Sequence, residues 1–221
     1  MPSNRKIVLA NGEYYHLFNR GVERRPVFTN KREFLRAVDL VNFYRFDKPP
    51  LRYSKYLSLE EDQRQNFLTN LNGKAVEIIV FCLMSNHFHF LVRQVQENGI
   101  SKFMANFMNS YTKFFNTKYQ RVGPLFQGAF KAVHIESDEQ LLHLSRYIHL
   151  NPVMGFIVKP DQLKDYQWSS YNSYIGNSNV NIVDKEIVMN FFRKPIKYQE
   201  FVLDQADYAK KLKVIAHLTM D

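Results

Sequence analysis

The sequence predicts an α+β protein with a central, mostly antiparallel sheet and helices packed on one face. Three observations lead there. Short runs rich in aromatic and β-branched residues at 13–19, 75–84 and 87–94 read as strands. Ser85-Asn86 leaves only a tight turn between the last two, so they form a hairpin. Longer stretches with apolar residues at helical spacing alternate with these runs. The order strand, helix, hairpin, helix, strand, helix argues a layered sheet and helices. A chain of 221 residues can bury a real core.

The first strand, Glu13 to Asn19, ends at Arg20-Gly21, where Gly21 suits a turn. Thr29 or Asn30 can cap a helix whose apolar face is Phe34, Leu35, Val38, Leu40 and Val41. That helix should fade before Pro49-Pro50. Residues 47–73 are polar and irregular and read as an insertion, with a short helix from Ser58 to Leu71 and a turn at Asn72-Gly73. Ala75 to Met84 reads as a buried strand and His87 to Gln94 as its partner. Gly99 and Ser101 open a helix reaching Tyr119, with Phe103, Phe107, Tyr111, Phe114 and Phe115 on one broad side. Leu125 to Ile135 looks extended. Ser137 or Asp138 caps a further helix that carries Leu141, Leu144, Tyr147 and Ile148, and Asn151-Pro152 should stop it. A looser tail follows, with another helix after Asp184. There is no internal repeat and no low-complexity tract.

Charge is lopsided. Thirty Lys and Arg against twenty-one Asp and Glu give a net +9, which suits a polyanionic partner. A single cysteine, Cys82, excludes an internal disulfide framework and a Cys-rich zinc module, and its apolar neighbours make it a small buried hydrophobe. Met1 to Ala10 lack the apolar core of a signal peptide, and no stretch is long enough to span a bilayer. The expectation is a cytoplasmic protein with no membrane partner.

The chemistry-bearing residues are His87, His89, Tyr147 and Asn151. Side chains alternate along a strand, so His87 and His89 point one way while Phe88 and Phe90 point into the core. The two imidazoles can share one ion, but two ligands are too few for a structural zinc. A third must come from elsewhere, with positions left open for substrate. Tyr147 and Asn151 are four apart on a helix and share a face, with His143 on roughly the same side. The amide oxygen of Asn151 is a reasonable hard ligand for Mg²⁺ or Mn²⁺ beside neutral imidazoles. Tyr147 then faces a phosphate held at the open positions. A phenol titrates near pH 10 and must be activated to attack.

Four motifs in order resemble a known family. They are Tyr15-His16-Leu17-Phe18-Asn19-Arg20-Gly21, then Met84-Ser85-Asn86-His87-Phe88-His89-Phe90-Leu91, then Gly123-Pro124-Leu125-Phe126-Gln127-Gly128-Ala129-Phe130-Lys131, and last Arg146-Tyr147-Ile148-His149-Leu150-Asn151-Pro152-Val153. Together they resemble the single-tyrosine HUH transposases of the IS200/IS605 type, and most closely the REP-associated tyrosine transposase branch. The resemblance covers residues 13–175. It implies a ferredoxin-like (RRM-like) HUH sandwich, placed at 1–175. The 47–73 insertion is longer than the family's compact core has, and 176–221, a C-terminal helical extension of unknown role, has no counterpart there. It implies His87 and His89 as metal ligands and Tyr147 as nucleophile. Asn151 stands where many members of the wider group carry Gln, which shortens the ligand arm by one methylene. The implied activity is that of an endonuclease and strand transferase. It cuts single-stranded DNA beside a hairpin, leaving a 5′-phosphotyrosine and a free 3′-hydroxyl. The oligomeric state, monomer or homodimer, stays open.

Arg20, Arg24, Arg25, Lys113, Arg121, Lys131 and Arg146 are the candidate DNA contacts, with Arg20 and Lys131 ranked first because they lie inside the motifs. Trp168 and Tyr171 read as core or edge anchors rather than base-stacking platforms. Two other functions remain open: a DNA- or RNA-binding regulator that keeps the fold without turnover, and a metal nuclease that uses water.

Overall fold

Residues 7–177 and 182–206 are described by a computed structural model. In chain order its elements are strand β1 (Tyr14–Arg20), helices α1 (Lys31–Tyr44), α2 (Tyr53–Tyr56) and α3 (Glu61–Thr69), and strands β2 (Val76–Met84) and β3 (His87–Gln94). Helix α4 (Gly99–Lys118), strand β4 (Lys131–Ile135) and helix α5 (Asp138–Met154) follow, and then the short helices α6 (Tyr171–Tyr174), α7 (Glu186–Met189) and α8 (Pro195–Leu203). The strands lie in the order β2-β3-β1-β4, and every neighbouring pair is antiparallel. With α1 after β1 and α4 after β3, this is the ferredoxin-like β-α-β-β-α-β arrangement.

The α+β class and the antiparallel sheet are those expected. Helices α1 and α4 pack together on one face, where Phe88 and Phe90 meet Phe103 and Phe107 of α4 at ring separations of 5.3–5.9 Å. Helix α5 adds cover on the opposite face, over β2 and β3. The cause lies in β2, where only Glu77 escapes full burial. A strand apolar on both faces needs a layer on each. The outer edge of β2 is also closed: Leu83 donates to the Trp168 carbonyl and Asp184 to that of Ile78, which removes an open pairing edge.

Asn30 caps α1 by accepting from the Glu33 amide, and Ser137 caps α5 by accepting from that of Gln140. Gly21 is needed at its turn because a Cβ there would collide with the Arg25 carbonyl. The helix expected at 58–71 is α3, and the short α2 precedes it. Two expectations are corrected. The extended segment expected from Leu125 is strand only from Lys131, because Gly128 adopts φ +61° and the Gln127 amide turns back to the Arg20 carbonyl. Pro152 does not stop α5, which runs on to Met154. Its missing N–H removes one bond in the last turn only, while Pro152 and Val153 are buried there and hold the turn by packing.

Trp168 stacks on Phe34 and Tyr171 is fully buried, so both are anchors. Cys82 is buried as well. The expected late helix appears as α7 and α8, and Tyr198 and Val202 of α8 join the main core. The rest of the extension, at 178–181 and beyond 206, lies outside the described residues. Among those described, no helix is long and apolar enough to cross a membrane.

Candidate active site

Sheet register alone gathers most of the site. Directly paired residues share a face. Arg20 pairs with His87, Phe18 pairs with His89, and Phe18 also pairs with Lys131 across the other edge of β1. Period-two alternation adds His16 to the same face. Helix α5 lies over that face with Tyr147 and Asn151 one turn apart. The result is a pocket of about 400 Å³ lined by Phe18, Asn19, Arg20, His87, His89, Gln127, Lys131, Tyr147 and Asn151.

The side chains expected to act together therefore do meet. The rings of His87 and His89 are 5.1 Å apart, and the ring of Tyr147 stands edge-on to His89 at 5.6 Å. Tyr147 is 43% exposed and lines the pocket. The Asn151 amide nitrogen donates to the Tyr147 carbonyl at 2.9 Å. That bond leaves the amide oxygen as the end suited to a metal.

The tautomers favour coordination. Asn86 donates its amide N–H to the Arg24 carbonyl, which orients its oxygen toward Nδ1 of His87, 2.6 Å away. An amide oxygen only accepts, so His87 Nδ1 carries the proton and Nε2 keeps its lone pair. His89 Nδ1 lies 2.9 Å from Nε2 of His16, whose ring stacks on it. When His89 Nδ1 donates to His16, its Nε2 keeps a lone pair that can meet an ion. Burial, then the neighbouring His16, His87 and Arg20, hold the His89 pKa well below its ordinary value. Burial lowers His16 to about 4. Both rings are therefore neutral at pH 7, the form a metal requires. No cluster of three His, Cys, Asp or Glu exists among the described residues. Two imidazoles and one amide oxygen fit a hard divalent ion with open positions.

Burial raises the Tyr147 phenol, while Arg20 and Asn151 pull it down. At rest the phenol is protonated. Lys131 Nζ stands 5.9 Å from the Phe18 ring at the pocket wall.

Of the seven candidate DNA contacts, Arg20 and Lys131 line this pocket. The others lie elsewhere. Arg25 pairs with Glu23, Arg24 is exposed on the turn after Gly21, and Arg121 donates to Asn116. Arg146 covers the Phe201 ring at 4.4 Å and approaches His143, so both side chains face α8 rather than the pocket. Lys113 lies across the sheet, on α4. His16, Asn19 and Gln127 were not among the expected site residues. The alternation of His16, Phe18 and Arg20 along β1 was the signal that could have found the first of them.

Sheet order, the His-x-His strand and the crossing helix define a ferredoxin-like α+β protein with a candidate cation and phosphate site at one face of its sheet. The comparisons with known proteins say what the chain is similar to. The model described as "Transposase IS200 like" matches residues 54–151, a span that contains His87, His89, Tyr147 and Asn151. The resemblance to IS200-like transposases drawn from the motifs is thus found by an independent route. A solved structure described as a REP-associated tyrosine transposase bound to a REP hairpin is similar in fold, with a TM-score of 0.53 and 13% identity. The match covers 83% of this chain and 98% of that one. No curated protein sequence matches the chain.

Proposed function

We propose that this chain is a divalent-cation-dependent, transposase-like endonuclease and strand transferase. It cuts and rejoins hairpin-bearing single-stranded DNA through Tyr147. One observation carries the reading: Tyr147 stands over His89 in a pocket that also holds His87, Asn151, Arg20 and Lys131. A pure binding surface has no need of a phenol beside a pair of imidazoles. The hairpin carried by the similar solved structure supports a hairpin substrate here.

His87, His89 and Asn151 would hold Mg²⁺ or Mn²⁺, which when bound polarises the phosphate oxygens. Arg20 and Lys131 flank the phosphate and offset its charge. Tyr147 Oη attacks phosphorus and forms the Tyr–O–P bond, losing its proton. The P–O3′ bond breaks, and the electron pair and a proton go to O3′, which leaves a free 3′-hydroxyl. The phosphotyrosine conserves the ester bond energy, so attack by a 3′-hydroxyl rejoins the strand without a nucleotide cofactor. Burial keeps the resting phenol protonated, while Arg20 beside it favours the phenolate, and a cation held by His87, His89 and Asn151 would add to that pull.

The test is incubation with labelled hairpin oligonucleotides and Mn²⁺, read on denaturing gels. Wild type should give a protein-linked DNA band, and Tyr147→Phe should lose it while binding stays within about threefold. An adduct in the Phe variant would move the nucleophile elsewhere. Cleavage with no linked band would favour a water-using nuclease, and binding without cleavage would favour the regulator.

A further inference from the structure

A second cavity, of about 610 Å³, lies between α1, α2 and α4, on the helical face of the sheet away from Tyr147. Its walls carry Arg32, Arg36, Arg52 and Lys113, and no acidic residue lines it. Arg32, Arg52 and Lys113 are exposed around the rim. Arg36 is held in place: its guanidinium lies 4.8 Å from the Phe114 ring and 5.4 Å from that of Tyr53, and it donates to the Tyr53 hydroxyl at 3.3 Å. The nearby carboxylates are engaged elsewhere. Asp39 accepts from the Tyr53 and Tyr56 hydroxyls, and Glu33 takes Lys118. Among the described residues no ion pair is formed by Arg32, Arg36, Arg52 or Lys113.

Gathering like charges without counter-charge is unfavourable, and a bound polyanion relieves it. A cationic rim with aromatic side chains in the walls is the combination that holds a phosphodiester strand. A guanidinium already immobilised between rings loses less entropy on meeting a phosphate. Arg52 and Tyr53 come from the 47–73 insertion, so that segment supplies one wall.

We propose that this groove binds a second stretch of nucleic acid, the single strand flanking the hairpin, through its phosphodiester backbone. The inference rests on the DNA-processing reading above. The full-length chain is titrated by fluorescence anisotropy with two oligonucleotides: the hairpin with its cleavage segment, and the same hairpin with about 12 further unpaired nucleotides. The long oligonucleotide should bind wild type at least tenfold more tightly than the short one. Arg52→Glu with Lys113→Glu should abolish that advantage. The double variant should also reduce the slope of log Kd against log salt for the long oligonucleotide by about 1.4. It should leave affinity for the short oligonucleotide and its adduct on Tyr147 unchanged. Equal binding of both lengths, or an advantage that survives the double variant, would overturn the proposal. So would AMP that binds the groove in wild type, is lost in the variant, and accompanies no effect of flank length, because the site would then take a free nucleotide. A flank effect without any Tyr147 adduct would refute the strand-transferase reading and leave this one standing.

Discussion

Glu33→Gln should be among the most destabilising conservative changes in the protein. Glu33 is completely buried on α1, yet its carboxylate is ionised. Burial alone would raise its pKa. Bonds from Lys118, Tyr119 and both the amide and hydroxyl of Thr29 outweigh that and bring it to about 2, from an ordinary 4.5. The carboxylate therefore ties the first turn of α1 to the end of α4, where it also faces the positive pole of the α1 dipole. The fall from 4.5 to about 2 corresponds to about 3 kcal/mol. The folded pKa is depressed, so this stability is fully present above pH 4.5 and is lost as pH falls from 4.5 through about 2. Urea unfolding at pH 7 should show Glu33→Gln about 3 kcal/mol less stable than wild type. At pH 3 the difference should shrink to about 1 kcal/mol, because most of the unfolded chains' Glu33 and a minority of the folded chains' are then protonated. A variant within about 0.5 kcal/mol of wild type at pH 7, or a gap that does not narrow in acid, would refute the account.

Other consequences are equally direct. His16→Ala removes the partner that orients His89 and should weaken Mn²⁺ binding about 10- to 100-fold by isothermal calorimetry, with little change in the thermal midpoint of the metal-free protein. Phe107→Ala empties a fully buried position against Phe88 and Phe90. It should lower unfolding free energy by about 3–5 kcal/mol in denaturant titration. Arg20→Ala with Lys131→Ala should weaken binding of the short hairpin oligonucleotide and reduce its salt slope by about 1.4, two phosphate contacts' worth.

Part of the candidate site's layout is legible in the sequence. The spacing of His87 and His89 on a strand, and of Tyr147 and Asn151 on a helix, says which side chains share a face within each element. It says nothing about which face of one element meets which face of another. His16 escaped notice because its closeness to His89 depends on the β1–β3 register, a relation between residues 73 positions apart. Lys113 shows the converse. It was grouped with Arg20 as a DNA contact, yet its helix packs on the other side of the sheet, where it lines a different cavity. His143 shares a helix face with Tyr147 by spacing, but Arg146 and Phe201 hold it toward α8.

Local chemistry written in the chain settled three of the four strands and the hairpin turn, and narrowed the caps to Thr29 or Asn30 and Ser137 or Asp138, because each depends on neighbours within a few positions. Tertiary structure alone decided that Pro152 stays helical, that α5 covers the face opposite α4, and that the insertion closes a second basic groove. Those outcomes depend on packing between distant segments, and local propensity yields wherever burial contributes more than the lost hydrogen bond.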